Sequence, residues 1–357
     1  MTGQPKPLVD DFMLSRLDPD EIPVGYEELW QVLLRVFGRT PTLAEVERWG
    51  AKLDQNLPAK AFIRQLAASR HVKDSKFVRT KNPPGHFFSP VVDPDLVGEY
   101  VRMSRAAATQ EIPGIDFPLA EMEAFWERSH EFIAATPFTR DRTPDNRYFY
   151  GGGPYHVGDA MTLRAMINDL RPKRVIEMGS GYSTACMLDA AEHAGLKDFK
   201  VVCIEPFPDR LHSVLRPDDI GNGVTLLKTT TQSVPLSVFR DLEPNDILFI
   251  DSTHVLKTGS DVHYQLFFIL PLLPPGVVVH VHDCRFPLEY SDKQIFEKNY
   301  SWNEVYAIRA LLMFSNRYRV IFSGSFFAKR RPDLIQQTAP LYLRNPGSAL
   351  WFRVIGE

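Results

Sequence analysis

The sequence of 357 residues predicts an α/β fold, in which a doubly wound, mostly parallel sheet of seven strands follows an all-helical N-terminal extension. Two observations support this prediction. Beyond Tyr150, short runs of β-branched residues alternate with segments of helical length, which is typical of a parallel sheet buried on both faces. Before Tyr150, apolar residues recur at three- and four-residue steps, which indicates helices. The length allows two domains, or one domain with a large extension.

The part before the sheet is predicted to comprise four segments. Residues 1–23 are polar and are interpreted as a flexible lead-in, whereas residues 24–72 carry the periodicity of a small helical domain. Residues 73–94 are rich in proline and lysine and are interpreted as a linker, and residues 95–136 as a helical connector or lid. The sheet domain is then predicted to span residues 137–357.

Seven apolar runs predict the strands of the sheet. They occupy residues 174–178, 200–205, 224–228, 246–251, 276–283, 318–322 and 349–355. The segment between the last two runs has no clear helical pattern, so we expect these two strands to form an antiparallel hairpin at the end of the sheet.

Composition and charge restrict the partners and the compartment. A net charge of −3 gives no basic footprint, so nucleic acid is not favoured, although a local patch could still bind an RNA substrate. The three cysteines fall within predicted core elements, which indicates reduced thiols and a cytoplasmic protein. The N-terminus has no apolar signal-peptide core, and the longest apolar runs are too short to span a bilayer.

The stretch RVIEMGSGYSTACML connects the first strand to a helix through a glycine loop. Gly179 and Gly181 permit a tight turn with close approach of the backbone to a ligand, and the helix start offers free N–H groups. A dinucleotide fingerprint would place a third glycine where this chain has Thr184, so the loop favours a nucleoside without phosphates. Glu205, which ends the second strand, can accept hydrogen bonds from both ribose hydroxyls and disfavours a 2′-phosphorylated cofactor. The alternatives are a plain tight turn and a solvated carboxylate.

Polar side chains also end the fourth and fifth strands, in DILFIDSTH and HVHDC. Because the carboxyl ends of parallel strands meet at one edge of a sheet, we expect Asp251, His254, His282 and Asp283 to lie close together. Asp251 or His254 could act as a general base that deprotonates a hydroxyl. Alternatively, the four side chains could bind a divalent metal ion that polarises the hydroxyl. His280 is interpreted as a core histidine with satisfied hydrogen bonds.

Two further segments are candidates for covering this edge. The segment FYGGGPYHVGDAM either forms a lid, with Tyr150, Tyr155 or His156 facing a ligand, or leads into a helix with an N-cap near Asp159. Residues 285–300 are long for a plain connection and are predicted to form a substrate lid.

Together, the stretches VIEMGSGYST, IEP, DILFIDSTHVLKTGSDV and LPPGVVVHVHD resemble class I S-adenosylmethionine-dependent methyltransferases. The similarity is greatest to a bacterial group in which strand four ends in D-x-x-H and strand five in HD, and it extends from residue 137 to the C-terminus. The stretch YEELWQVLLRVFGRTPTLAEVERWGAKL is similar to a small helical module of bacterial surface-layer and glycan-related proteins, which implies a glycan context.

The resemblance to methyltransferases implies a Rossmann-like sheet and S-adenosylmethionine as the cofactor. The glycine loop would hold the methionine part and Glu205 the ribose, and KTTTQSVP would lie near the adenine. Asp251 and Ser252 would flank the methyl-bearing sulfonium. The residues expected to bind the cofactor are Glu177, Gly179, Ser180, Gly181, Ser183, Glu205, Pro206, Asp251 and Ser252. Asp251 and Asp283 match acids that bind magnesium in related sugar and macrolide O-methyltransferases, although His282 stands where those relatives often have an acid.

The sequence therefore predicts an enzyme that methylates an oxygen of a sugar, or of another small hydroxylated or glycan acceptor, with a divalent metal such as magnesium as an optional aid. His254, Asp251 and His282 are the candidate catalytic residues. The alternative enzyme is a NAD-dependent oxidoreductase, and the missing third glycine counts against it. The alternative from another class is a non-catalytic cofactor-binding scaffold in glycan assembly, and intact Glu177, Glu205 and Asp251 count against it. The sequence leaves open whether the chain forms a homo-oligomer.

Overall fold

The computed structural model describes residues 48–51, 86, 88–107 and 111–356, and it divides the chain into two units, residues 1–91 and 92–357. In the first unit, residues 48–51 are helical and residues 88–91 form a turn. The predicted lead-in, most of the predicted helical domain and most of the predicted linker lie outside the described residues, so these assignments stay predictions. The second unit contains the sheet and is described almost completely.

A seven-stranded sheet runs through the second unit. Its strands are β1 Arg174–Met178, β2 Lys200–Ile204, β3 Val224–Leu227, β4 Ile247–Ile250, β5 Val278–Val281, β6 Tyr318–Ser323 and β7 Leu350–Val354. The strand order is β3-β2-β1-β4-β5-β7-β6; the first five strands are parallel, and β7 is antiparallel to both β5 and β6. Every residue of β4 and β5 is buried, so both faces of the centre are covered. The predicted doubly wound, mostly parallel fold is confirmed.

Ten α-helices of the described chain accompany these strands. They are α1 Pro94–Ala107, α2 Leu119–Ala134, α3 Val157–Leu170, α4 Tyr182–His193, α5 Asp209–Val214, α6 Leu236–Arg240, α7 Asp261–Tyr264, α8 Glu304–Leu312, α9 Gly324–Arg330 and α10 Pro332–Thr338. A π-helical turn, Gln265–Ile269, and a 3₁₀ turn, Leu270–Leu272, continue α7. A second π-helical turn, Lys293–Glu297, precedes α8.

The connection between β6 and β7 differs from the prediction, because it contains α9, α10 and a 3₁₀ turn, Pro340–Arg344, rather than a loop without helix. Each helix has only seven residues, and Pro332 and Pro340 interrupt the sequence, so no helical periodicity extends far enough to be recognised. The antiparallel pairing of β6 with β7 agrees with the prediction.

The helix α2 belongs to the core of the sheet unit. Its Trp126 ring is fully buried and packs against Phe327 and Tyr342, with centroid distances of 5.1 and 5.2 Å. The indole N–H also donates to Thr338 Oγ1 at 2.9 Å. The second half of the predicted connector is therefore held by aromatic packing and a buried hydrogen bond. No helix of the described chain is long and apolar enough to cross a membrane.

Candidate cofactor and acceptor cleft

An open cleft of about 1870 Å³ lies at the edge of the sheet where β1, β2, β4 and β5 end. It sits at the point where the strand order reverses between β1 and β4, which is where open α/β sheets bind ligands. The predicted site residues that line it are Gly179, Ser180, Gly181, Ser183, Glu205, Pro206, Asp251, Ser252, His254, His282 and Asp283. The lining also includes Thr230, Thr231 and Gln232 from the KTTTQSVP segment.

The glycine loop packs directly against the end of β4. Gly179 has a φ of 83°, and a Cβ atom there would lie 1.8 Å from the carbonyl oxygen of Asp251, so only glycine fits. At the end of β2, one Glu205 oxygen accepts the Ser180 N–H at 3.1 Å and the other accepts the Phe207 N–H at 2.8 Å. Each carboxylate oxygen has a second lone pair, so Glu205 retains acceptor capacity toward the cleft.

Glu177 is the predicted cofactor residue that does not line the cleft. Its side chain is fully buried and accepts hydrogen bonds from the Ser183 hydroxyl, at 2.5 Å, and from the Thr184 hydroxyl. Burial raises the pKa of Glu177 to about 7, although the hydroxyl donors oppose the shift. Glu177 therefore ties β1 to the first turn of α4. Thr184 also accepts the Gly181 N–H at 3.0 Å, which gives a structural reason for threonine at the third glycine position.

A buried imidazole occupies the centre of the polar strand ends. His254 is 7% exposed, and its Nδ1 lies 2.8 Å from Glu304 Oε2, on α8. Its Nε2 lies 3.4 Å from Asp251 Oδ1 and 3.8 Å from Asp283 Oδ2. We call these four residues the histidine cluster. The sequence prediction missed Glu304, which follows His254 by 50 positions; the only signal was an acid within the apolar stretch SWNEVYAIRALLMF.

Electrostatics favour a positive charge on His254. Burial disfavours the imidazolium, but Asp251 and Glu304 outweigh this effect and raise the pKa of His254 to about 10. Removal from water raises the pKa of Asp251, yet His282 and His254 together lower it to about 2. The Asp251 and Asp283 side chains are 28% and 32% exposed, and both border the cleft.

The chain near β7 supports this cluster from the side of β5. Ser348 Oγ donates to Asp283 Oδ1 at 3.1 Å, and the Ser348 and Ala349 N–H groups donate to Asp159 Oδ1 at 2.9 and 3.1 Å. Asp159 therefore lies in the first turn of α3, where its carboxylate accepts these hydrogen bonds. The N-cap, which was predicted near Asp159, is His156. His254 and Asp283 have φ values of 60° and 53°, which is strained left-handed backbone typical of functional sites.

The remaining predicted residues have different surroundings. His280 is fully buried and stacks on Phe249 with a centroid distance of 3.8 Å. Its burial agrees with the prediction, but neither ring nitrogen has a hydrogen-bond partner in the described part of the chain, so it is not satisfied. Tyr155 and His156 line the cleft and Tyr150 does not, while many residues of 285–300 form its outer wall.

The predicted metal ligands Asp251 and Asp283 both lie close to one imidazole nitrogen. The two carboxylates of Asp251 and Asp283 both point to His254 Nε2, so the imidazole occupies the direction that they share. Over residues 48–51, 86, 88–107 and 111–356, no three His, Cys, Asp or Glu side chains are arranged to hold a metal. The described residues therefore do not fit a divalent metal.

Comparisons with known proteins match a part of the chain that contributes to this cleft. Residues 176–284, from β1 to just beyond β5, match a family model described as a methyltransferase domain. An uncharacterised protein of Archaeoglobus fulgidus is 27% identical over 176 residues, which covers 46% of this chain and 75% of that protein. The matched part contains the glycine loop, Glu205 and the polar ends of β4 and β5.

Two solved structures are similar at low identity. A Podospora anserina methyltransferase bound to S-adenosylhomocysteine is 16% identical with a TM-score of 0.40, covering 73% of this chain and 96% of that one. An O-methyltransferase of Streptomyces achromogenes involved in tomaymycin synthesis, in complex with S-adenosylmethionine, is 15% identical with a TM-score of 0.39, covering 72% and 96%. The family-model match, rather than these two similarities, identifies residues 176–284 as the methyltransferase-like part of the chain.

Proposed function

We propose that this chain is an S-adenosylmethionine-dependent methyltransferase that acts on an oxygen of a small hydroxylated acceptor, a sugar or glycan in the first instance. One observation carries the proposal: the glycine loop, Glu205 and Asp251 line a single cleft at the topological switch point, within the residues that match the methyltransferase-domain model. Cys186, Cys203 and Cys284 are buried free thiols, which suits a reducing compartment such as the cytoplasm.

Each group of lining residues suits a different part of the cofactor. The start of α4 and the close-packed glycine loop suit the methionine part, because its carboxylate is attracted to free N–H groups at a helix start. Glu205 has acceptor capacity for the ribose hydroxyls. Asp251 stays ionised and partly exposed, so it favours the positive sulfonium beside it.

S-adenosylmethionine supplies a methyl group that its sulfonium already activates for displacement. The protein must then align the acceptor hydroxyl and receive its proton, as the carbon–sulfur bond breaks and the carbon–oxygen bond forms. His254 suits proton acceptance better than Asp251, because a carboxylate with a pKa of about 2 is a weak base. A sulfonium near Asp251 opposes the imidazolium charge, so cofactor binding helps His254 to lose the proton that it carries.

Binding of S-adenosylhomocysteine to the full-length protein tests the cofactor. We expect binding by isothermal titration calorimetry and no binding of NAD⁺. Glu205→Ala should weaken binding by about 10- to 100-fold, because hydrogen bonds to a charged group contribute about 1.5–3 kcal/mol. Glu243→Ala is the matched control, since Glu243 pairs with Lys173 on the surface outside the cleft.

The other two hypotheses give different results in the same titration. Tight NAD⁺ binding without S-adenosylhomocysteine binding would replace the proposal by an oxidoreductase. Binding of neither ligand at millimolar concentration would support a non-catalytic scaffold. Transfer of tritium from methyl-labelled S-adenosylmethionine to a panel of methyl glycosides and catechol then tests the acceptor class, with and without magnesium.

A further inference from the structure

The carboxylate of Glu304 determines which ring nitrogen of His254 keeps its proton when the imidazole is neutral. Glu304 is 2% exposed, His254 is 7% exposed, and their side chains form a buried contact of 2.8 Å between Oε2 and Nδ1. Burial raises the pKa of Glu304, and the hydrogen bond with His254 opposes that shift. An ionised carboxylate only accepts hydrogen bonds, so Nδ1 donates whenever Glu304 is ionised. The other nitrogen, Nε2, then faces Asp251 and Asp283 at the border of the cleft.

The start of α8 also holds the backbone of His254. The N–H groups of Asn303 and Glu304 both donate to the His254 carbonyl oxygen at 3.1 Å. The Asn303 side chain accepts the Leu256 N–H at 2.6 Å and donates to the Leu256 carbonyl oxygen at 3.1 Å. These four hydrogen bonds fix the segment in which His254 adopts its left-handed conformation with a φ of 60°.

Aromatic rings restrict the imidazole on another side. The Trp302 ring lies 4.3 Å from the imidazole, and Tyr300 stacks on Trp302 with the same centroid distance of 4.3 Å. The Val305 N–H, in the first turn of α8, donates to the Tyr290 hydroxyl at 3.1 Å. The residues around the start of α8 therefore contact the ring, the backbone and the following segment of His254.

We infer that Glu304 is a positioning residue, which holds the Nδ1–H of His254 and keeps Nε2 directed at the cleft between Asp251 and Asp283. The charged groups that face this imidazole are Asp251 at the end of β4, Asp283 beyond β5 and Glu304 on α8, with His282 nearby. The inference rests on the proposed function in one respect. Methylation of a hydroxyl releases a proton, and the oriented Nε2 is the atom proposed to receive it. A carboxylate that fixes the tautomer of a functional histidine is a recurrent arrangement in proteins.

Nuclear magnetic resonance of the full-length ¹⁵N-labelled protein tests this inference without any turnover. The Nδ1–H of His254 should give a downfield, exchange-protected proton signal, which disappears in His254→Asn. In Glu304→Gln the signal should move upfield or exchange with solvent, because a neutral amide is a weaker acceptor. Glu304→Asp keeps the charge on a shorter side chain and should retain a weakened signal, which maintains the test if Glu304→Gln does not fold.

The matched control is Asp246→Asn. Asp246 is 2% exposed and caps the N–H groups of Lys173, Arg174 and Glu243 at the opposite end of β4. It should lower stability without moving the His254 signal. An unchanged signal in Glu304→Gln, or a wild-type proton located on Nε2 alone, would overturn the inference. Calorimetry with S-adenosylhomocysteine on the same samples tests the proposed function separately.

Discussion

Arg147 and His254 each meet three carboxylates, yet the two clusters are built differently. The arginine cluster comprises Arg147, Asp189, Glu192 and Asp219. Its guanidinium donates to both oxygens of Asp219 at 2.7 and 2.8 Å, to Asp189 at 2.8 Å and to Glu192 at 2.6 Å. In the histidine cluster, only the contact with Glu304 is shorter than 3 Å.

The difference lies in hydrogen-bonding capacity and access rather than in charge. The second oxygen of Asp189 accepts the backbone N–H groups of Arg147 and Tyr148, so that cluster is saturated around a buried arginine that stays charged. Asp251 and Asp283 are about one-third exposed and face the cleft with few hydrogen bonds. A saturated cluster stabilises the fold, whereas an incomplete one beside a cleft can receive a ligand.

The largest expected effect is on catalysis, in the histidine cluster. His254→Ala should lower kcat for methyl transfer by about 100- to 10,000-fold, which is the usual contribution of a general base. The measurement is tritium transfer to whichever probe acceptor turns over. His263→Ala is the control, because His263 packs against Phe267 and Phe268 outside the cleft lining. Rates that are unchanged in both His254→Ala and Asp251→Ala would remove the proposed roles of these two residues.

A substitution in the arginine cluster should instead lower the free energy of unfolding. Arg147→Ala leaves Asp189 and Asp219 buried without their cation, so the free energy of unfolding should fall by about 3–5 kcal/mol. Urea denaturation measures this loss. Arg128→Ala removes an exposed pair with Asp169 and should cost less than about 1 kcal/mol. Similar losses for the two variants would show that the buried network contributes no more than a surface pair.

Glu304→Gln should have an intermediate effect. Loss of the carboxylate that orients His254 should lower kcat by about 10- to 100-fold, the range found when the hydrogen-bond partner of a metal-ligating histidine is removed. The KM for the acceptor and the affinity for S-adenosylhomocysteine should stay close to wild type, because Glu304 does not line the cleft. A rise in KM at constant kcat would instead indicate a role in acceptor binding.

The dependence of stability on pH also separates the two clusters. The folded-state pKa of His254, about 10, lies above its ordinary value of 6.5, so the imidazolium stabilises the folded protein. This contribution is complete below pH 6.5 and is lost as the pH rises toward 10. The difference in unfolding free energy between wild type and His254→Asn should therefore shrink across that range. The loss of unfolding free energy in Arg147→Ala should stay constant over the same pH range. The neighbouring acids outweigh the effect of burial and raise the pKa of Arg147, so the guanidinium stays charged.

Local patterns predicted the strands and the cleft because both follow from short-range rules. The apolar runs that became β1, β4 and β5 identified the sheet, and the rule that ligands bind at carboxyl strand ends brought Glu205, Asp251 and His254 together. Each of these inferences used only residues adjacent in sequence to a strand.

The supporting contacts could not be predicted in this way. Glu304 and Ser348 reach His254 and Asp283 across 50 and 65 positions, and no motif links them. The inward direction of Glu177 depends on where the hydroxyls of α4 lie after the helix has packed, which strand alternation alone does not specify. Long-range packing therefore determines which polar residues line the cleft. It also determines which residues hold those lining residues in place.

The close approach of Gly179 to the Asp251 carbonyl oxygen couples two parts of the site mechanically. With 1.8 Å between that oxygen and the position of a Cβ atom, the glycine loop has no clearance for a side chain. The Asp251 N–H also donates to the Met178 carbonyl oxygen at 2.9 Å, next to the loop. The glycine loop and Asp251, the residues proposed to bind the methionine part and the sulfonium, thus share one tightly packed contact, so a change in this loop should displace both.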